Sequence, residues 1–268
     1  MSVVRFEQTE AVGHIILCDP PENQLGRRWA DDLREAVHQA TTAGVRALVV
    51  RSEGPNFGTG GDVAEWPGKN VHWFHAFIDE VNQAYRAIEA LRIPTVAAVR
   101  GKAVGGHFEL VLHCDLIVAA DTASFHAIET RTGTVPLAGG IPRLAERIGR
   151  GRAAELVMLS DPIDGTRAGE IGLATRVVAD AAVESTAIAL AERLAAGPTL
   201  AYGAIRALLK AWSTGGVPGS DDLLLDVTMK LFDTSDAQRA FEALKTATSA
   251  GGDKSESEAA AKITFNGN

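Results

Sequence analysis

Three short apolar runs, at residues 45–50, 94–99 and 116–120, set the terms for what this chain can fold into. They are rich in Val, Ile and Ala, and only Arg46 interrupts the first, so they read as strands covered on both faces. Longer stretches with helical spacing lie between them. Over residues 27–42 the apolar positions recur at Trp29, Leu33, Val37 and Ala40, and over 71–91 at Phe74, Ile78, Val81, Tyr85 and Ile88. Strands alternating with helices in this way predict a layered α/β domain. Residues 3–6 and 12–18 add two strands joined by a polar turn, and Pro20-Pro21 then breaks the pattern into a loop. Beyond Ile141 the pattern is mostly helical, with one short strand near 174–178 and a helix over 183–194 stopped by Gly197-Pro198. Residues 248–261 form a Gly/Ser/Ala-rich charged stretch that reads as a flexible loop or tail. No internal repeat is present.

Charge narrows the function. The net charge of −8 argues against general nucleic-acid binding, which needs a basic surface for phosphate. No run of about 18 apolar residues suits a membrane span, and the polar start at residues 1–10 lacks the apolar stretch of a signal peptide. The two cysteines, Cys18 and Cys114, sit in apolar segments and read as buried free thiols, which suits a reducing cytoplasm.

Three constellations carry candidate chemistry. Phe57-Gly58-Thr59-Gly60-Gly61-Asp62 follows a strand, and its glycines let backbone N–H groups approach a ligand. No Gly-Lys-Ser/Thr ending makes it a nucleotide phosphate loop. On its own such a loop is more often a tight structural turn. Gly105-Gly106-His107-Phe108-Glu109 also follows a strand and opens a helix, where N–H groups suit an anionic oxygen. Glu109 there is equally a first-turn acid of structural value. Glu129, ahead of Gly133-Thr134-Val135-Pro136, reads locally as an exposed carboxylate after a strand. His72 and His75 share a helix without a third metal ligand of clear spacing, so no metal site is expected. No Gly-x-Ser-x-Gly elbow signals a hydrolase. Arg206 and Lys210, four apart, could meet phosphate but read more simply as a solvated helix face.

Taken together, these segments resemble the crotonase (enoyl-CoA hydratase/isomerase) superfamily. The family pattern is a Phe-x-x-Gly-x-Asp loop, an Asn-Gly-x-Ala-x-Gly-Gly-Gly-x-Glu helix start, and a Glu followed by Gly-Thr-x-Pro. They stand here as residues 57–62, 100–109, and Glu129 with 133–136. Residues 12–25 resemble the opening strand and turn, Asp236-Ala237-Gln238 with Phe241 a C-terminal helix motif, and Phe265-Asn266-Gly267 the closing segment. The resemblance implies a spiral of ββα units over residues 1–195 and a helical trimerisation region over 196–268. It further implies an acyl-CoA thioester substrate, no other cofactor, and a homotrimer or a dimer of trimers.

By the same resemblance, Gly61 and Gly106 supply the two backbone N–H groups that hold the thioester oxygen. The backbone at Thr59 meets the adenine of CoA, and Asp62 closes the CoA-binding loop. Family hydratases carry two glutamates, matched by Glu109 as the base for water attack at the β-carbon and Glu129 as the proton donor at the α-carbon. That work needs both carboxyls shifted toward neutrality by burial and by each other's charge. Hydration of a 2-enoyl thioester, or the reverse dehydration, is the leading reaction. Double-bond isomerisation through Glu129, and a CoA-binding subunit with weak turnover, stay open; RNA binding is disfavoured by the acidic charge. Departures from the pattern fall at Gly58, Thr59 and Gly61, at Arg100 in place of asparagine, and at His107 and Leu137 in place of glycines. Trp66, Trp73 and Phe74 lie in the segment expected to line the acyl pocket, and read equally well as core.

Overall fold

The computed structural model describes residues 2–249 and 263–268. Its first unit, Met1–Leu91 with Thr95–Ala191, contains both sheets. Strands β1 (Val4–Thr9) and β2 (Val12–Leu17) form an antiparallel pair across the polar Glu10-Ala11 turn. Helix α1 (Arg27–Thr42) follows, then β3 (Ala47–Ser52), α2 (Val71–Ala90), β4 (Thr95–Val99) and β5 (Lys102–Val104). Next come α3 (Gly106–Leu112), β6 (Leu116–Ala120), β7 (Ser124–His126), α4 (Gly140–Ile148) and α5 (Arg150–Leu159). Strand β8 (Ile163–Asp164), α6 (Gly165–Glu170), β9 (Arg176–Val178) and α7 (Val183–Ala195) complete the run.

Six strands make one sheet in the order β1-β2-β3-β4-β6-β9, parallel from β2 onward. A second sheet has the order β5-β7-β8. Each of β1-β2-α1, β4-β5-α3 and β6-β7-α4 is a ββα unit, and together they give the crotonase-type spiral. The central strands are sealed on both faces: residues 15–17, 47–50, 96–99 and 117–120 are at most 4% exposed, which is why they lack polar alternation. Cys114 is buried as expected, but Cys18 is only half-buried, because it follows the last ladder residue of β2.

The second unit, Arg92–Pro94 with Glu192–Asn268, holds the helical span α8 (Thr199–Thr228), which is broken by a kink at Gly216 (φ +63°), and α9 (Ser235–Ser249). The helix motif and the closing segment meet there. Asp236 is buried and accepts the N–H groups of Asn266 (2.7 Å) and Gly267 (2.8 Å), while Arg239 pairs with it. From residue 250 onward, the Gly/Ser/Ala-rich stretch expected to be flexible lies outside the described residues. No helix among the described residues is long and apolar enough to cross a membrane.

Candidate active site

The glycine loop is held from two sides. Toward β5, Gly58 N–H donates to Lys102 O (2.8 Å) and Val104 N–H to Gly58 O (3.0 Å). Toward residues 22–25, Thr59 N–H donates to Glu22 O (3.0 Å), Leu25 N–H to Gly60 O (2.9 Å) and Asp62 N–H to Leu25 O (3.0 Å). That facing turn is set by Asn23, buried, whose side chain accepts from Asp19 N–H and donates to the carbonyls of Glu53 and Asn56. Gly60 has φ +93°, where a side chain is strained. Thr59 Oγ1 donates to Glu22 O (3.2 Å), and the Asp62 carboxylate accepts from Ala64 N–H (3.1 Å).

Leu25 touches both candidate glycines. It bridges to Gly61, and a Cβ added at Gly106 would lie 2.6 Å from its Cδ1. Neither the Gly61 nor the Gly106 N–H donates to a protein acceptor among the described residues. Tyr85 Oη donates to Gly106 O (2.7 Å), pinning the start of α3 to α2.

Glu109 sits in the first turn of α3 and is 5% exposed. Its Oε1 accepts the N–H groups of Ala138 and Gly140, each at 2.8 Å. These donors belong to a loop anchored by two side chains. Asn82 donates to Leu137 O (2.9 Å), and Arg143 donates to Gly139 O (2.9 Å) while gripping Glu89 with two nitrogens (2.5 and 2.7 Å). A Cβ at Gly140 would stand 2.7 Å from Glu109 Cγ, so the approach needs glycine. Burial pushes the Glu109 carboxyl up to about 7, the backbone donors oppose that rise, and the negative charge of Glu129 adds to it.

Glu129 opens a 3-10 turn over Glu129–Thr132. Its backbone carbonyl accepts from Thr134 N–H (3.1 Å) and from the hydroxyls of Thr132 (2.8 Å) and Thr134 (3.1 Å), which fixes the turn. The local expectation of an exposed carboxylate is corrected here. The residue is half-buried, its Oε2 is enclosed with no hydrogen-bond partner among the described residues, and burial raises its pKa. The enclosure comes from segments distant in sequence. Glu109 and Glu129 line one pocket with Phe108, Ala127, Pro136, Leu144 and Val157, around about 220 Å³ of empty space, open solvent included. Glu109, held near 7, is equipped to exchange protons near neutrality, and burial shifts Glu129 in the same direction.

The sequence pattern of the enoyl-CoA hydratase/isomerase family matches residues 7–246. The chain belongs to that family. A Bacillus subtilis protein named "probable enoyl-CoA hydratase" is 28% identical over 91% of this chain and 95% of its own length. A Rhodobacter capsulatus protein of the same name is 30% identical over 80% of this chain and 84% of its own. Among solved structures, the enoyl-CoA hydratase of Bacillus anthracis superposes with a TM-score of 0.86 at 27% identity, covering 91% of this chain and 96% of its own. A Thermobifida fusca relative solved in complex with CoA gives 0.79 at 28% identity, over 87% and 93%.

Against the family pattern, the fold gathers Glu109, Glu129, Gly105, Pro136 and Gly140 around one pocket, while Gly61 and Gly106 each contact Leu25. Leu137 sends its side chain outward, 46% exposed, and its carbonyl accepts from Asn82 on α2. The aromatic segment does not line this pocket: Trp66, Trp73 and Phe74 form a half-buried cluster, with Trp66 packed on Gly61. Sequence reading missed the Ala138 and Gly140 N–H donors and their braces Asn82 and Arg143. The signal available was the glycine pair Gly139-Gly140, since a backbone that must approach a side chain closely favours residues without Cβ. His72 and His75 are exposed on α2, and no group of three metal-ligating side chains occurs among the described residues.

Proposed function

We propose that this chain is an enoyl-CoA hydratase, adding water across the α,β double bond of a 2-enoyl thioester and, in reverse, dehydrating a 3-hydroxyacyl thioester. The observation that carries the reading is the pair of carboxyls, Glu109 and Glu129, both raised in pKa and facing one apolar pocket. The thioester oxygen is received by the N–H groups of Gly61 and Gly106. As water adds at the β-carbon, electron density moves onto that oxygen, and fixed donors stabilise it without reorganising. One such donor contributes about 3 kcal/mol to lowering the barrier. Ionised Glu109 takes a proton from the attacking water, and protonated Glu129 delivers one to the α-carbon. One water is consumed, and the carboxyl protonation states are restored by proton exchange before the next turnover.

Double-bond isomerisation needs a proton shuttle but no water. A second carboxyl, aimed by two backbone N–H groups into the same pocket, is what hydration adds to that requirement. For coenzyme A, the N–H and hydroxyl of Thr59 are both engaged with Glu22, which leaves its carbonyl for the adenine amino group. Asp62 contributes through the loop shape it caps. Coenzyme A arrives as part of the substrate, and no resident cofactor or metal takes part. The two free thiols suit a reducing cytoplasm, and the assembly is a homotrimer or a dimer of trimers. Incubation with crotonyl-CoA and mass analysis of the product tests the reaction. A product heavier by one water is expected, whereas a rearranged product of unchanged mass would replace hydration by isomerisation.

A further inference from the structure

His107 is completely buried and takes no part in the chemistry above. Its ring stands edge-on to Trp29 and Phe57, with centroids 5.4 and 6.3 Å away. Opposite it lies Gly58, where a Cβ would overlap Cδ2, Cγ and Nε2 of the ring. The absent side chain at Gly58 and the large one at His107 therefore fill one space between them. The ring also reaches the loop directly, since Gly60 N–H donates to His107 Nδ1 at 3.2 Å. Accepting that bond requires a lone pair on Nδ1, which places the ring proton on Nε2. Burial lowers the pKa of the imidazole to about 3, so the ring stays neutral and the acceptor persists at physiological pH.

We propose that His107 is a positioning residue for the glycine loop: by filling the space left at Gly58 and accepting the Gly60 N–H, it fixes the peptide geometry that aims the Gly61 N–H. Gly60 lies between the two effects. Its φ of +93° is a conformation many alternatives compete with, and a glycine needs an external tie to stay in one of them. Its carbonyl is held by Leu25, and among the described residues its N–H is held by His107 alone. Losing the second tie leaves the following peptide held only through its carbonyl bond to Leu25, so its plane can tilt about that bond, and misplaced donors stabilise a developing oxyanion poorly. The catalytic half of this inference rests on the hydratase reading, while the conformational half does not.

The test uses the full chain with His107→Asn and His107→Leu. Asn can place an acceptor at the Nδ1 position, whereas Leu keeps bulk and removes it. Two readouts separate the halves: hydrogen exchange of the Gly60 amide, and kcat and KM for crotonyl-CoA hydration. His107→Leu is expected to exchange the Gly60 amide about tenfold faster or more and to lose at least about tenfold in kcat with KM nearly unchanged. His107→Asn is expected to restore both. If His107→Leu does not fold, His107→Gln, whose acceptor sits at the Nε2 position, serves as the loss variant. Undiminished protection of Gly60 in the loss variant overturns the proposal, and faster exchange with unchanged kcat overturns its catalytic half. Should wild type leave enoyl thioesters unchanged, the exchange measurement still decides the conformational half, and that failure belongs to the hydratase reading.

Discussion

Burial lifts the Glu109 carboxyl from 4.5 to about 7, even though the N–H groups of Ala138 and Gly140 pull it down. Because the folded-state pKa lies above the unfolded one, the native state holds the proton more tightly. Its contribution to stability is therefore full below about 4.5 and is lost as pH rises through about 7. The loss amounts to ~3 kcal/mol. A Glu109→Gln variant carries no such charge, so its stability relative to wild type should rise by up to ~3 kcal/mol between pH 4 and pH 8, read by urea unfolding. Parallel stability curves would contradict the burial argument. The same ionisation should make kcat/KM climb through pH 7, since the base works only when deprotonated. The helix start that carries Glu109 is legible in the sequence because its motif is local, and the residue's role rests on the family resemblance. The local reading of Glu129 as exposed fails, while the resemblance implies burial, because the residues enclosing it, among them Leu144 and Val157, stand 15 and 28 positions downstream.

At the scale of elements, the 134–140 loop decides whether Glu109 points into the pocket. Gly140→Ala would force a Cβ against Glu109 Cγ, with 2.7 Å available. A cost of about 1–3 kcal/mol in stability is expected, together with a fall in kcat larger than any change in KM. Thermal unfolding and steady-state kinetics check both, and a variant as stable and active as wild type would show that the loop can yield. The elements with strong periodicity were readable: α1 runs over Arg27–Thr42 and β6 over Leu116–Ala120, as their patterns predict. Strand β3 instead begins at Ala47 and ends at Ser52, because its register is set by pairing, Val12↔Ala47 to Leu17↔Ser52, rather than by its own composition. Strands β5, β7 and β8, of two or three residues, carry no periodicity to read and exist through pairing with partners far along the chain. The glycine loop is legible as a turn, while its pairing to β5 and to residues 22–25 is not.

Across the whole molecule, the family pattern spans both units, and the described C-terminal end has a polar fastening. In the second unit Asp236 ties α9 to residues 266 and 267. Asp236→Ala removes two charge-assisted hydrogen bonds and should release that end, seen as faster hydrogen exchange at residues 263–268. Unchanged protection there would mean other contacts hold it. The ββα spiral in the first unit carries the pocket, and the account stands or falls on whether its two carboxyls share one reaction. The most direct measurement is crotonyl-CoA hydration, followed by loss of the conjugated-thioester absorbance, in wild type, Glu109→Ala and Glu129→Ala. The expected result is turnover by wild type and a fall of about 10²–10⁴-fold in each variant. A wild type inert toward crotonyl-CoA and toward longer and branched enoyl thioesters, or a variant lacking either carboxyl that hydrates as well as wild type, would contradict it.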